Sequence, residues 1–192
     1  MSIAEKLTKV AENVPKVYKA GQQSECDRFW DAFQDNGDVV QGAYLFSGRA
    51  WTDAVYNPKY PVRVTNCTNM YRGCLITDTK VDIDFSNATG TYAFNDAANL
   101  INIRKLIVNK NVAYTGWFAY CSALEEIRFE GKIGKSLDIH YSTKLSYDSV
   151  ANIFECLGGT DSATLTLPTS HNDGRYASLI ADIPSNWAVS WL

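Results

Sequence analysis

The sequence predicts an α/β fold, a right-handed solenoid of short strands and irregular turns, with an N-terminal helical segment and a C-terminal strand–helix–strand cap. Three observations support this prediction. Apolar residues recur at an interval of 24 in the middle of the chain, the first 35 residues have a helical spacing of apolar positions, and the stretch after residue 135 loses the interval. We therefore expect a helical segment over 1–38 and a repeat domain over 39–192, whose capping unit begins near residue 136.

The N-terminal segment is predicted to contain an amphipathic helix. Ser2 and Glu5 form a capping box. Pro15 and Gly21 interrupt the apolar spacing, so a second helix is expected to begin near Ser24. Two interpretations stay open: a cap that packs on the rest of the chain, or a short stalk that makes the protein a homo-oligomer. The seam that would hold the stalk together has the 4-3-4-3 spacing of a coiled coil and consists of Ile3, Leu7, Val10, Val14 and Val17.

Repeats organise the central part of the chain. Short β-like runs occur at Lys80–Phe85, Ile103–Val108 and Glu126–Glu130. The two clearest copies share the frame Phe-x5-Leu-x2-Ile-Arg, and a period of 24 lies in the ~20–29 residue range of leucine-rich repeats. In such repeats each coil contributes one strand, and stacked coils share one core. The anchors expected in that core are Phe46, Met70, Phe94, Leu100, Ile103, Phe118, Leu124 and Ile127.

The last part of the chain is predicted to close this core. Ser146 is a candidate N-cap for a helix over Ser146–Cys156, which Gly158 and Gly159 would end. Alternation then predicts a strand at Thr164–Leu167. A second helix is expected around Arg175–Ala181, followed by a final strand at Trp187–Trp191.

The repeat frame resembles the BspA-like (treponemal-type) leucine-rich repeats of bacteria, whose motif runs aromatic-x2-Cys-x2-Leu-x2-Ile. Residues 118–127 (FAYCSALEEI) match this motif at every slot. The copy at Phe94 has Ala97 in the Cys slot, and the copy at Met70 has its Cys74 one residue late. The resemblance implies adhesion and protein binding rather than catalysis.

A second resemblance extends over nearly the whole chain. The opening AEKLTKVAENVPKVYKAG, the following DRFWDAFQDNG and the segment Val55–Pro61 are similar to proteins of Firmicutes gut bacteria and their prophages. Some of those proteins look like phage tail or baseplate components. This resemblance implies a phage structural or host-contacting protein whose partner is a protein or a cell-surface glycan. The start of the chain lacks the apolar region of a signal peptide, so we expect a product that stays cytoplasmic, or is virion-associated if phage-encoded.

Composition excludes several other classes. The 192 residues are 46% apolar with a formal net charge of −3, which suits a globular domain and provides no basic surface for nucleic acid. No apolar run approaches the ~20 residues that cross a bilayer, so we expect no membrane insertion. Five cysteines without a CxxC pair predict neither a disulfide framework nor a metal site, and no cofactor is expected. Cys74 and Cys121 are expected to be core thiols.

The sequence contains few residues and motifs that are typical of enzyme active sites. The chain has two histidines, of which His140 is expected on a strand face or in the core and His171 in a solvated loop. No nucleophile, metalloprotease or phosphate-loop motif is present in the sequence. The enzymatic alternative is a polysaccharide-directed hydrolase that uses carboxylates on the solenoid face, such as Asp82, Asp84 or Asp138.

Aromatic residues are abundant instead. Five Trp, eleven Tyr and eight Phe stand against the two histidines. Tyr and Trp combine apolar area with a hydrogen-bonding group, which suits contacts with proteins or glycans. We therefore predict a non-enzymatic binding or adhesion module, in which rings outside the repeat frame either contact the ligand or cover the turns. The first candidates are Tyr114, Trp117 and Tyr141, followed by Tyr71, Trp51 and Tyr56, with Tyr60 and Tyr120 completing the set.

Overall fold

The computed structural model describes residues 40–49 and 51–192. The predicted helical segment, with its seam Ile3, Leu7, Val10, Val14 and Val17, lies outside these residues. Every pairing between the strands of the described part is parallel. The elements, in chain order, are β1 (Val40–Gln41), β2 (Val62–Asn66), β3 (Ile83–Asp84), β4 (Asn102–Ile107), β5 (Glu126–Glu130), β6 (Leu137–Asp138), α1 (Tyr147–Cys156), β7 (Ala163–Leu167), a 3₁₀ turn (Thr169–His171), α2 (Ala177–Ala181) and β8 (Trp187–Trp191).

The strands form two parallel sheets in which sequence neighbours are also spatial neighbours. The first sheet has the order β1-β2-β3-β4-β5, and the second has the order β6-β7-β8. Two pairings follow the predicted interval of 24, since Ile103 lies opposite Ile127 and Val40 lies opposite Val64. The pairings of β3 are closer in sequence, with Val62 opposite Ile83 and Ile83 opposite Leu106. The change of sheet falls between β5 and β6, where the sequence predicts the start of the capping unit. The chain is therefore a mixed α/β protein with parallel sheets and few helices.

A column of four rings runs through the core beside the first sheet. It consists of Phe46, Tyr71, Phe94 and Phe118, and successive ring centroids lie 5.1, 5.1 and 5.6 Å apart. Met70, the expected anchor of the second copy, is buried in the core as predicted, but the ring of Tyr71 takes the second place in the column. One extra residue precedes this ring, so the chain places Tyr71 in the column. The shift also explains Cys74, which follows Tyr71 at the same distance as Ala97 follows Phe94.

The remaining predicted anchors also lie in the core. Leu100, Ile103 and Leu124 are fully buried, and Ile127 is 2% exposed. Alternation along β5 explains how one strand serves both core and surface, because Ile127 and Phe129 point inward while their neighbours are exposed. Strands β2, β4, β5 and β7 thus each add two or three apolar side chains to the core, and the two-residue strands β3 and β6 each add one.

The recurring turn extends further along the chain than the sequence suggested. In the turn after Phe118, the amide of Cys121 donates to the Phe118 carbonyl and the amide of Leu124 donates to the Cys121 carbonyl. The same two bonds recur in residues 139–145, between Ser142 and Ile139 and between Leu145 and Ser142. The step between these turns is 21 residues instead of 24. The interval of 24 is therefore lost near residue 136, as expected, while the same turn recurs once more at a shorter step.

Helix α1 closes the edge of the first sheet. Its N-cap is Ser146, as predicted, and the Ser146 hydroxyl accepts a hydrogen bond from the Ser149 amide. The Ser149 hydroxyl oxygen and the Asn152 amide oxygen accept hydrogen bonds from the backbone of Ile127 and Phe129 in β5. These side chains occupy the donors that an open sheet edge would expose. The predicted strand, helix and strand of the last part correspond to β7, α2 and β8. Within the described ranges, no helix has both the length and the apolar character needed to span a membrane.

Candidate functional site: a tyrosine patch on the turns

Five of the six principal binding candidates lie in the core, so the prediction that they are surface residues is wrong. None of them is more than 2% exposed: Trp51, Tyr56, Tyr71, Tyr114 and Trp117. The physical reason is the width of the core, which the Phe, Leu and Ile of the frame do not fill by themselves. The extra rings complete the packing edge-on, as Trp51 does against Phe46 at 5.1 Å between centroids.

Tyr141, the sixth candidate, is 36% exposed and belongs to a cluster that we call the tyrosine patch. Its ring lies 4.6 Å from the ring of Tyr120, which is 56% exposed. On its other side, the His140 ring lies 4.0 Å away. The Nδ1 atom of His140 lies 2.6 Å from a carboxylate oxygen of Asp138. The tyrosine patch, defined as Asp138, His140, Tyr141 and Tyr120, thus joins two exposed phenol rings to an acid and an imidazole.

The repeat itself places the two rings side by side. Tyr120 follows Phe118 by two residues, and Tyr141 follows Ile139 by two, in turns with the same hydrogen bonds. Successive turns stack, so equivalent side chains become neighbours on the surface. Comparison of FAYCSAL (118–124) with IHYSTKL (139–145) could have revealed this pairing from the sequence. A search restricted to an interval of 24 misses it.

Tyr120 occupies a backbone conformation that disfavours its side chain. Its φ is 63°, and the corresponding residues of earlier turns, Asp96 and Gly73, have φ of 58° and 64°. Three successive turns therefore have a left-handed residue at this position, where Gly and Asp are better suited than an aromatic residue, whereas Tyr141 of the next turn is not left-handed. The left-handed conformation costs a side-chain-bearing residue roughly 1–2 kcal/mol. Tyr44 and Tyr92 are exposed and left-handed as well, so what distinguishes Tyr120 is the contact of its ring with Tyr141.

The chemistry of the tyrosine patch suits recognition of a polar ligand with a flat apolar face. The hydrogen bond with Tyr120 is the main cause that raises the pKa of Tyr141, followed by the charge of Tyr120, by desolvation and lastly by the charge of Asp138. Tyr141 therefore remains a neutral phenol at physiological pH, able to donate a hydrogen bond. The two rings provide apolar faces, and the carboxylate of Asp138 provides an acceptor at the edge.

The carboxylates of the hydrolase alternative are engaged in ion pairs. Asp82 lies 3.0 Å from the ammonium group of Lys105, and Asp84 lies 3.8 Å from the guanidinium group of Arg63. Asp138 faces His140 in the tyrosine patch. Each acid thus has a basic side chain within 4.0 Å.

His171 does not lie in a solvated loop, so that expectation is wrong. It is 5% exposed, and its Nε2 atom lies 2.9 Å from the carbonyl oxygen of Leu145. Its Nδ1 atom lies 3.2 Å from the hydroxyl of Ser170. The 3₁₀ turn folds this histidine against the preceding turn, where it serves packing.

The cysteines of the described part are buried thiols. Burial raises the pKa of Cys67, Cys74 and Cys121 to about 12, and it also raises the pKa of Cys156. The Cys121 thiol lies 3.1 Å from the carbonyl oxygen of Phe94, to which it donates. Among the residues at 40–49 and 51–192, no group of three His, Cys, Asp or Glu side chains is placed to hold a metal ion.

Comparisons with known proteins add no relative: no protein-family model matches the chain, and neither a curated protein nor a solved structure matches it.

Proposed function

We propose that the protein is a non-enzymatic binding or adhesion module that contacts a glycan or a protein through the tyrosine patch. The observation that carries this proposal is the pair of exposed rings of Tyr120 and Tyr141, 4.6 Å apart at equivalent positions of successive turns. The ion pairs of Asp82 and Asp84 support binding over hydrolysis.

We further propose that the repeats are leucine-rich repeats of the BspA-like type. The ring column, with a small residue three positions after Tyr71, Phe94 and Phe118, supports this assignment. The parallel pairing of Ile103 with Ile127, one repeat apart, supports it as well. In such an array, stacked turns present a continuous surface to a ligand. A role in host contact, as part of a phage tail, extends the same proposal and rests on the sequence resemblance alone.

A glycan is the first ligand to test. Exposed Tyr rings lose little side-chain entropy on binding, and their apolar faces match the C–H face of a sugar ring. The hydroxyl of Tyr141 and the carboxylate of Asp138 can then bond to sugar hydroxyls at the edge of the rings. A protein ligand would use the same rings as an anchor at the centre of an interface.

The test is a screen of immobilised glycans and bacterial cell-wall fragments with the wild type and with Tyr120→Ala and Tyr141→Ala. We expect each variant to weaken the binding of a captured ligand by about tenfold or more. Tyr44→Ala is the matched control, since Tyr44 is 60% exposed and also left-handed at φ 60° but lies outside the tyrosine patch. Equal binding by the patch variants and the control would contradict the proposal. A captured protein in place of a glycan would identify the other class of ligand.

A further inference from the structure

A polar groove lies between α1 and the face of β4 and β5. It encloses about 540 Å³, and none of its lining residues belongs to the tyrosine patch. Its walls differ from the ring-rich core, since most of them are charged or amide side chains. The lining residues that matter are Asn102 and Arg104 of β4, Glu126 and Arg128 of β5, and Asp148 and Asn152 of α1.

Two arginines are neighbours in this groove. Ile103 pairs with Ile127, so Arg104 and Arg128 follow on adjacent strands, whose spacing is ~4.8 Å. Both arginines are exposed, while Ile103 and Ile127 point into the core. The recurrence of Ile-Arg in the repeat frame thus brings two guanidinium groups to the same side of the sheet.

An irregularity in the pairing separates the arginines from the acids of this sheet. Between Ile103 and Leu106 the register shifts, so Arg104 and Lys105 together face the single residue Arg128. Lys105 forms the ion pairs, with its ammonium group 3.0 Å from Asp82 and 3.0 Å from Glu130. This register shift, a β-bulge, therefore places Lys105 next to the carboxylates and leaves Arg104 in the groove.

Neither arginine of the groove has a carboxylate within 4.0 Å in the part of the chain that the structure describes. The guanidinium group of Arg104 donates to the Lys80 carbonyl at 2.8 Å. By contrast, Arg63 on β2 has a carboxylate partner, Asp84. Arg104 and Arg128 carry like charges on adjacent strands of the same groove, and an anion bound between their side chains would offset this repulsion.

The acids of the groove narrow the choice of anion. Glu126 accepts hydrogen bonds from the hydroxyls of Ser146 and Ser149, at 2.9 and 3.0 Å. Asp148 lies in the first turn of α1, and Glu155 lines the groove near the end of that helix. These three carboxylates flank the arginines and repel a chain of many negative charges. The groove therefore suits one anionic group on an otherwise neutral, polar ligand.

The surrounding backbone favours a sugar over a peptide strand. A peptide that extended the sheet would need the free amides of β5, but Ser149 and Asn152 already accept from Ile127 and Phe129. Recognition must then come from side chains. The guanidinium groups of the protein can bind a carboxylate of the ligand with two parallel hydrogen bonds, and the asparagine amides can bind its hydroxyls. We propose that the groove binds the carboxylate of an acidic sugar between Arg104 and Arg128. The tyrosine patch is a separate site, so this inference stands or falls independently of the proposed function.

The test is a calorimetric titration of the full chain with glucuronate, with glucose and with inorganic sulfate. We expect saturable binding of glucuronate, and at least about tenfold weaker binding of glucose and of sulfate. Arg128→Gln should weaken glucuronate binding by about tenfold or more. This variant removes a guanidinium group with no hydrogen bond or ion pair among the described residues, so it should fold normally, and a thermal melt checks this. The glucuronate affinity of Arg128→Lys should lie between those of the wild type and Arg128→Gln, because lysine keeps the positive charge but cannot form two parallel hydrogen bonds with a carboxylate.

Arg63→Gln is the matched control, because it removes an exposed arginine from the same sheet outside the groove. Binding that survives in this control and in Tyr120→Ala, but is lost in Arg128→Gln, supports the site. No saturable binding of glucuronate, or equal losses in Arg128→Gln and Arg63→Gln, overturns it. Sulfate binding as tight as glucuronate binding overturns the sugar assignment, and glucose binding as tight overturns the role of the carboxylate.

Discussion

The ring of Tyr71 lies parallel to the ring of Phe94, with 5.1 Å between the centroids and 8° between the planes. The Tyr71 hydroxyl lies 2.9 Å from the hydroxyl of Tyr56, and both residues are fully buried. Burial is the main cause that raises the pKa of each phenol above its usual value. Tyr71 of the ring column and Tyr56 beside it therefore form a neutral hydrogen-bonded pair from which water is excluded. The loss of one hydroxyl leaves the other without this buried partner.

This dependence can be measured with a double-mutant cycle. We expect Tyr71→Phe to lower the free energy of unfolding by about 1–3 kcal/mol, because it removes the bond to the buried Tyr56 hydroxyl. The double variant Tyr71→Phe/Tyr56→Phe should lose less than the sum of the single losses, with a coupling of at least about 0.5 kcal/mol. Urea denaturation of the four proteins provides these values. Strictly additive losses would show that the hydroxyl pair does not contribute as a unit.

Tyr71 also shows where prediction from the sequence succeeds and where it ends. The interval of 24 correctly predicts the buried Phe94 and Phe118, because stacked repeats must bury equivalent slots. The interval misses Tyr71, since one extra residue before the ring shifts it past Met70. The shift is short, because the buried Ile76 again lies 24 residues before Leu100. A search for residues at a constant interval therefore does not detect it.

The exposed aromatic residues of the candidate site were harder to predict than the core. Trp117 and Tyr141 are both aromatic residues beside a frame position, yet one is fully buried and the other is exposed. The difference comes from the turn. The residue directly before Phe118 points into the core, whereas the residues two positions after Phe118 and Ile139, which are Tyr120 and Tyr141, point to the surface. Residue type carries no information on this direction, but position within the recurring turn does. Tyr120 and Tyr141 could therefore have been selected from the alignment of the two turns.

Gly131, directly after β5, is predicted to tolerate no side chain. Its φ is 100°, and a Cβ atom at this position would lie 2.1 Å from the Val108 carbonyl oxygen. Gly48 has a similar φ of 95°, but its Cβ position has no neighbour within 4 Å. Both Gly→Ala variants incur the backbone cost of roughly 1–3 kcal/mol, and only Gly131→Ala adds the clash, of roughly 1–3 kcal/mol. We expect the lower midpoint in thermal melts for Gly131→Ala, and equal midpoints would contradict the tight approach of these two turns.

The buried thiols should be unreactive in the folded protein. With a pKa of about 12, Cys67, Cys74 and Cys121 are ionised only to about 10⁻⁴ at pH 8, and the thiolate is the reactive form. In a Cys26→Ser variant, a thiol reagent such as DTNB at pH 8 should label the protein slowly in buffer. In guanidinium chloride, four thiols should be labelled rapidly, because unfolding returns their pKa to the ordinary value. Rapid labelling in buffer would contradict the burial of at least one thiol.

Tyr120 is expected to contribute to binding at the expense of stability. Asn adopts the left-handed conformation more readily than an aromatic residue, so Tyr120→Asn relieves backbone strain at φ 63°. The variant loses the contact with the half-exposed ring of Tyr141, which offsets part of this gain. We expect the free energy of unfolding to stay the same or to rise by up to about 1 kcal/mol, while ligand binding falls by about tenfold or more. Tyr141→Asn, whose backbone carries no such strain, should lower both quantities. Chemical denaturation combined with the glycan screen separates the two effects, and a clear loss of stability in Tyr120→Asn would show that the ring is retained for packing.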